Sequence, residues 1–265
     1  MEIKVTQATT EKSSARKSEG GVLELVWIII QALFIALVVR TFLFQPFNIP
    51  SGSLVPTLLV GDYLFVSKYS YGYSRYSLPL GLPLFEGRIM GTEPKRGDIA
   101  VFKLPNHGQP NYKEQDYIKR VIGLPGDRIQ LIDARLYING KEVPRSPLPA
   151  YHTTDAYGRT VDVPRYLETL PNGVSHEIIQ KDGDAGYWSN TPIYTVPAGN
   201  FFMMGDNRDN SQDSRVLSEV GYVPFENFEG RAEIIFFSID ENASAWKIWE
   251  WPSTVRWSRI FQRIN

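Results

Sequence analysis

The chain contains no cysteine. Disulfides, thiolate metal sites and a cysteine nucleophile are excluded together, while the redox compartment stays open. Histidine is scarce: three in 265 residues, His107, His152 and His176, each in polar, turn-like surroundings. An excess of one charge is missing too. Net charge is -1, so no global field attracts nucleic acid, and nucleic acid is not an expected partner. Internal repeats are absent. Long apolar runs are absent except for one, since "IIFF" at 234 to 237 reads as the core of a strand.

That one run is "VLELVWIIIQALFIALVV", Val22 to Val39, 18 residues in which only Glu24 and Gln31 are polar. With "TFLF" beyond Arg40 it is long enough to cross a bilayer. It exits through Arg40, Thr41 and Phe42 without the small-residue pattern of a cleavage site, which favours an uncleaved anchor. Lys12, Arg16 and Lys17 precede the run closely and only Arg40 follows it closely. The cationic side stays in the cytoplasm, so residues 1 to 21 are expected inside and the remainder outside.

The chain beyond this run reads as mainly β. "DYLFVSKY", "GDIAVFKL", "DYIKRVIGL", "DRIQLID", "ARLYINGKEV" and "RAEIIFFSID" are short runs rich in β-branched and aromatic residues, separated by Gly, Pro, Asn and Asp. Asn139-Gly140 is a hairpin signal, because both central residues of that turn need positive φ. An antiparallel sheet or barrel-like domain is the expected class. Residues 144 to 198 are Pro-rich, polar and weakly periodic, which predicts an irregular, exposed insertion, and residues 73 to 97 predict another long loop.

Three polar blocks bear on chemistry. "IPSGSLVPTLLVGD", 49 to 62, sets Ser51 and Ser53 either side of Gly52. In an extended chain the two hydroxyls lie on one side, one placed to attack and the other to donate to an oxyanion. In "DYIKRVIGLPGD", alternation puts Tyr117, Lys119 and Val121 on one face of a strand and Ile118, Arg120 and Ile122 on the other. A lysine held among apolar groups loses solvation of its charged form and becomes a general base near neutrality. Arginine does not deprotonate, so the candidate base is Lys119. The third block is "GDNRDNSQDSR", 205 to 215. It lacks the glycine and glutamate of a calcium loop, so no metal is expected and no cofactor is implied. As a polar network it offers an Asp213–Arg215 pair and Ser211 as a hydrogen-bond partner for the lysine.

Taken together, these blocks and "KRGDIAVFK" (95 to 103) resemble bacterial type I signal peptidases, the leader peptidases, over roughly 45 to 127 and 199 to 238. The resemblance implies a Ser–Lys dyad protease that removes signal peptides from exported preproteins, cutting after small residues at -3 and -1. It implies Ser53 as nucleophile, Lys119 as base, and the Ser53 N–H with the Ser51 hydroxyl as oxyanion hole. Ser211 would orient Lys119, and Asp213 with Arg215 would brace the loop. Ile49, Pro50, Leu54, Leu58 and Ile118 fall where the family lines its substrate pockets. Leu54 stands where methionine is usual, a change that leaves volume nearly unaltered. The implied setting is the bacterial inner membrane, single-pass, with preprotein signal peptides and the lipid bilayer as partners. Oligomeric state is not legible. The organisation then reads as a cytoplasmic tail (1–21), an anchor (22–44), a catalytic β core (45–127 and 199–242), an inserted β subdomain (128–198) and a Trp/Arg-rich amphipathic segment (243–265). A non-enzymatic, membrane-anchored β-domain that binds exported chains is the alternative. A self-cleaving repressor would need an N-terminal DNA-binding helix pair where this chain has its anchor.

The last segment carries an expectation of its own. Trp246, Trp249, Trp251 and Trp257 are four of the chain's six tryptophans. A helix starting after Ser253 would put Trp257, Ile260, Phe261 and Ile264 on one face and Arg256, Arg259 and Arg263 on another. That pattern predicts a helix lying at a membrane interface.

Overall fold

Among the described residues a single long helix and fourteen strands account for most of the regular structure. The computed structural model describes residues 19 to 264 except 79–80, 82–84, 109–111, 155–157, 242 and 244–245. The cationic tail, with Lys12, Arg16 and Lys17, lies outside them. The chain divides into two compact units, Met1–Val38 and Val39–Asn265.

In the first unit the described structure is helix α1, which runs over Glu19–Phe42 and so ends inside the second. Within its stretch Gly21–Phe42, an 18-residue window has mean hydropathy 2.7 and no buried residue. Leu, Ile, Val and Ala follow one another without a proline, and apolar side chains point outward all round. At about 1.5 Å per residue this helix reaches roughly 36 Å, enough for a hydrocarbon core of about 30 Å. Every interior backbone group is paired within the helix, as a span requires.

The second unit is antiparallel β. Its strands are β1 (Phe44–Asn48), β2 (Asp62–Ser67), β3 (Ile99–Lys103), β4 (Asp116–Gly123), β5 (Arg128–Ile132), β6 (Arg135–Ile138), β7 (Lys141–Glu142), β8 (Arg145–Thr154), β9 (Thr160–Thr169), β10 (Ser175–Ile179), β11 (Tyr194–Thr195), β12 (Asn200–Met204), β13 (Val223–Pro224) and β14 (Phe228–Ser238). A seven-stranded sheet has the order β1-β2-β14-β3-β4-β12-β13. A four-stranded sheet has the order β11-β5-β6-β7, and a three-stranded one β10-β9-β8. The predicted hairpin joins β6 to β7, with Asn139 at φ 55 and Gly140 at φ 78.

Alternation places the core as the pattern required. Tyr117 and Val121 pack with Phe102, Phe201 and Phe228. Ile118 packs with Ile49, Leu54, Leu58, Leu64 and Val101 on another cluster, and Ile122 joins a third with Ile129, Leu131 and Phe202. Each such buried aliphatic side chain stabilises the fold by about 1.5–3 kcal/mol.

Two expectations need correction. The Pro-rich stretch from 144 is not irregular throughout, because β8, β9 and β10 form a sheet within it. Pro147 and Pro149 sit in β8, an outer strand of that sheet, where a missing N–H is tolerated. The register shifts between Leu148 and Tyr151, next to Pro149. The prolines hid the strand's period.

The C-terminal helix does not form. Among the described residues from Trp251 on, only α2 (Trp251–Thr254) and a 3-10 turn at Trp257–Arg259 are helical. Residues 261 to 264 instead run against β14, where the register shifts at 232/234 and 235/237 turn backbone groups away from the neighbouring strand. The tail satisfies them: Phe261 N–H donates to Ile235 O (2.7 Å), Ile235 N–H to Gln262 O (3.0 Å) and Ile264 N–H to Glu233 O (3.0 Å). Arg256 and Arg259 turn inward. Arg259 donates to both oxygens of the fully buried Asp62 and, over 2.9 Å, to Thr57 O. A buried carboxylate demands such a partner, and that demand outweighs the helical pattern.

Candidate active site

The serine block folds as a turn rather than an extended strand. Ser51 is extended at φ -135, and the chain then closes a 3-10 turn over Gly52–Leu54 with Val55 N–H bonded to Gly52 O at 3.2 Å. Ser51 is exposed, whereas Ser53 is buried at 7% exposure. Placing Ser53 in the first turn of a helical segment leaves its N–H without an intrahelical acceptor. Ile49, Leu54 and Leu58 are buried beneath the turn, Pro50 is exposed, and Ile118 is half-buried.

Strand β4 brings the lysine to this turn. Lys119 Nζ lies 2.8 Å from Ser53 Oγ, and it donates to Ile118 O over 3.0 Å. Lys119 is 4% exposed. Burial lowers its pKa to about 8, with Asp213 and Asp206 opposing the shift. At neutral pH a useful fraction of this amine is therefore unprotonated, and a neutral amine accepts the serine proton.

The 205–215 loop supplies the charges around the pair. Burial alone would raise the Asp213 carboxyl, but the Arg215 guanidinium holds it below the ordinary range. Arg215 donates to both Asp213 oxygens at 2.8 Å and to Arg208 O at 2.7 Å. Asp213 in turn accepts the Gly205 N–H at 3.0 Å. The expected Ser211–Lys119 hydrogen bond is not formed. Ser211 Oγ is buried, lies against Gly205 and faces the Asp213 carboxyl, which it helps to hold low, rather than Lys119. A Cβ at 205 would stand 2.3 Å from that oxygen and 2.5 Å from Ser53 O, so the loop approaches the serine as only glycine permits.

Sequence reasoning missed a second tier of residues. Arg120 is fully buried and donates to both oxygens of Asp206 at 2.8 Å. Asp206 also accepts the Thr57 hydroxyl at 2.6 Å, which ties the loop to the serine turn. Glu168, on β9, holds both terminal nitrogens of the buried Arg208. Between these pairs sits His176 of β10, 3.5 Å from Glu168 and 3.9 Å from Asp206. The one available signal was an arginine on a strand face otherwise made of isoleucines. Such a guanidinium calls for a carboxylate, and the loop holds several.

A turn with a buried serine, a desolvated lysine in contact with it and a loop of paired charges make a recognisable set. The family described as "Signal peptidase, peptidase S26" matches residues 22–237. The chain belongs to it. Signal peptidase I of Rickettsia typhi is 43% identical over 87% of this chain and 89% of its own length. Signal peptidase I of Rickettsia conorii is 40% identical over 100% of this chain and 98% of its own. A crystal structure of a signal peptidase I from Enterococcus faecalis is 27% identical with a TM-score of 0.29, covering 53% of this chain and 97% of that one. Among the described residues no cluster of His, Cys, Asp and Glu is arranged to hold a metal ion. The match begins at residue 22 and so takes in the apolar helix as well as most of the β unit.

Proposed function

We propose that the chain is a membrane-anchored serine endopeptidase that cleaves signal peptides from exported preproteins by a Ser–Lys dyad. Membership of the signal peptidase family supports the cleavage. The observation that carries the dyad is the 2.8 Å approach of a buried Lys119 Nζ to Ser53 Oγ. Neutral Lys119 takes the Ser53 proton as Oγ attacks the scissile carbonyl. One amine N–H donated to Ile118 O leaves the lone pair directed at the serine. The tetrahedral oxyanion meets the Ser53 N–H and the Ser51 hydroxyl. The lysine ammonium then protonates the leaving amine, and an acyl-serine remains. Lys119 next deprotonates a water that attacks the ester, and collapse returns the proton to Ser53.

The substrate backbone has two places to pair. Residues 116 to 119 of β4 bond to β3 on one edge, while β12 begins its pairing only at Arg120. β1 pairs with β2 and lies at the end of the seven-stranded order. An extended peptide adding to such an edge suits the family's substrate. The apolar side chains of Ile49, Leu54 and Leu58 are closely packed beneath the turn, which favours small residues at -3 and -1, with Pro50 and Ile118 flanking them.

In this reading α1 is a single-pass anchor in the bacterial inner membrane, with residues 1 to 21 cytoplasmic and the β unit on the outer side. Lipid and signal peptide are the partners. Enzyme and substrate are then held in one membrane, which raises their effective concentration. A non-enzymatic binding domain has no use for a desolvated lysine against a serine. The test is preprotein cleavage by the wild type, Ser53→Ala and Lys119→Ala, with the new N-terminus read by mass spectrometry. Cleavage by either variant at the wild-type rate would remove the dyad.

A further inference from the structure

We propose that Asn207 is a positioning residue for the oxyanion hole, setting the direction of the Ser53 N–H. The proposal rests on the reading of Ser53 as nucleophile.

Asn207 holds two successive peptide units of the serine turn. Its Nδ2–H donates to Gly52 O at 3.0 Å, and its own backbone N–H donates to Ser53 O at 3.1 Å. The carbonyl of Gly52 and the N–H of Ser53 belong to one planar peptide, in which the two bonds point in opposite directions. Fixing the oxygen therefore fixes the N–H. A donor bonded to the carbonyl also polarises the unit and strengthens its N–H as a donor, by about 10–30%. The second bond does the same for the next peptide and stops the turn from rotating about Ser53.

Asn207 is itself held firmly. Its neighbours bond to the inserted sheet on the side away from the serine: Ile179 N–H donates to Asp206 O at 3.0 Å, and Arg208 N–H to Ile179 O at 3.0 Å. The side chains of those neighbours are buried and paired, Asp206 with Arg120 and Arg208 with Glu168. Residues 206 to 208 thus stand between strand β10 and the serine turn, which gives the insertion a part in placing the reacting groups. The chemistry at 207 is specific. A side chain facing a carbonyl oxygen must donate, so a carboxamide serves, an isosteric carboxylate repels and a methyl does nothing.

The test compares Asn207→Ala and Asn207→Asp with the wild type in the full chain. Three quantities are read: kcat and KM on a preprotein, the affinity of a peptide boronic acid matched to the cleavage sequence, and the affinity of the same peptide without boron. The boronate adduct on Ser53 puts an oxygen in the oxyanion hole, and the plain peptide does not. Loss of a whole oxyanion donor costs about 10²–10³ in rate, and misdirection of one costs less. Asn207→Ala should lower kcat and boronate affinity by the same factor, about tenfold to a hundredfold, with KM and plain-peptide affinity nearly unchanged. Asn207→Asp should lose at least as much. Lys119 bonds to Ser53 Oγ and Ile118 O and Asn207 to the Gly52 and Ser53 carbonyls, so the acid limb of the Asn207→Ala pH profile should stay in place. A purely structural role would move KM, both affinities and thermal stability together, and that result overturns the proposal. So does an Asn207→Ala enzyme within twofold of wild type in kcat and boronate affinity. If Ser53→Ala and Lys119→Ala are inactive while Asn207→Ala is unaffected, the dyad stands and this proposal falls. If Ser53→Ala still cleaves, both fall.

Discussion

Lys119 Nζ stands 2.8 Å from Ser53 Oγ although 66 positions separate the two in the chain. The contact is formed entirely inside the second unit, between a strand buried on both faces and a 3-10 turn that closes over it. In the proposed mechanism this pair acts as one catalytic group. Ser53→Ala and Lys119→Ala should each abolish cleavage, and the double variant should lose no more than either single one. Lys119→Arg should be equally inactive, because a guanidinium keeps its proton. Circular dichroism should show folded protein in every case. Additive losses in the double variant would mean that the two groups act separately.

The pH dependence of cleavage has its origin in the same burial. Lys119 sits at about 8, below its ordinary 10.5. The active form is the neutral amine, so the rate should rise about tenfold per pH unit below 8 and level off above it. Asp213 raises the lysine, against the effect of burial. Asp213→Asn removes that charge and leaves Arg215 uncompensated. Both changes disfavour the ammonium, so the midpoint should move to lower pH. A midpoint near 10 in the wild type, or an upward shift in Asp213→Asn, would contradict activation by desolvation.

What the sequence disclosed and what it hid divide along physical lines. Alternation in 117 to 122 places side chains by a local rule, so the two faces of β4 and the buried lysine were legible. The Asn139-Gly140 hairpin is local as well. Ser51 and Ser53 were not placed correctly, because the turn at Gly52 depends on closure by Val55. Arg120 finds Asp206 from 86 positions away, and Arg208 finds Glu168 from 40. No spacing rule reports pairings of that length. The tail shows the reverse error: Arg256 and Arg259 fit a helical period, yet Asp62 lies nearly 200 positions earlier and draws them in. Their period was real as a pattern, but a buried carboxylate took the side chains.

His176 predicts an acid-sensitive fold. It is buried among Arg120, Asp206, Glu168 and Arg208, and burial lowers it from 6.5 to about 4, with Arg120 adding to the shift. The folded value is the lower one, so the unfolded chain binds the proton first. Above pH 6.5 the histidine contributes nothing to the pH dependence. As pH falls from 6.5 to 4 the fold should lose up to roughly 3 kcal/mol through this residue. His176→Gln should flatten the dependence of the urea midpoint on pH across that window. An unchanged slope would mean the ring is protonated in the folded protein.

The C-terminal segment separates two roles that its sequence had merged. Trp246, Ile248, Trp249, Trp257 and Phe261 are 90%, 63%, 72%, 59% and 74% exposed. Exposed tryptophans at this density suit the head-group region of a bilayer. Arg259, by contrast, serves the fold: its side chain is 15% exposed and paired with an Asp62 that is fully buried. Losing Arg259 takes two charge-assisted hydrogen bonds from Asp62 and leaves Arg256, at 3.6 Å, as its remaining cation, a cost of about 1.5–3 kcal/mol. Arg259→Ala should therefore lower the melting temperature sharply while the folded fraction still binds lipid. Trp246→Ser with Trp249→Ser and Trp257→Ser should leave melting nearly unchanged, since these rings bury little. The second unit alone, from Val39 onward, should float with anionic vesicles when the tryptophans are present and remain in the dense fraction when all three are replaced. Equal flotation of the two proteins would show that the aromatic rim does not hold the domain to lipid.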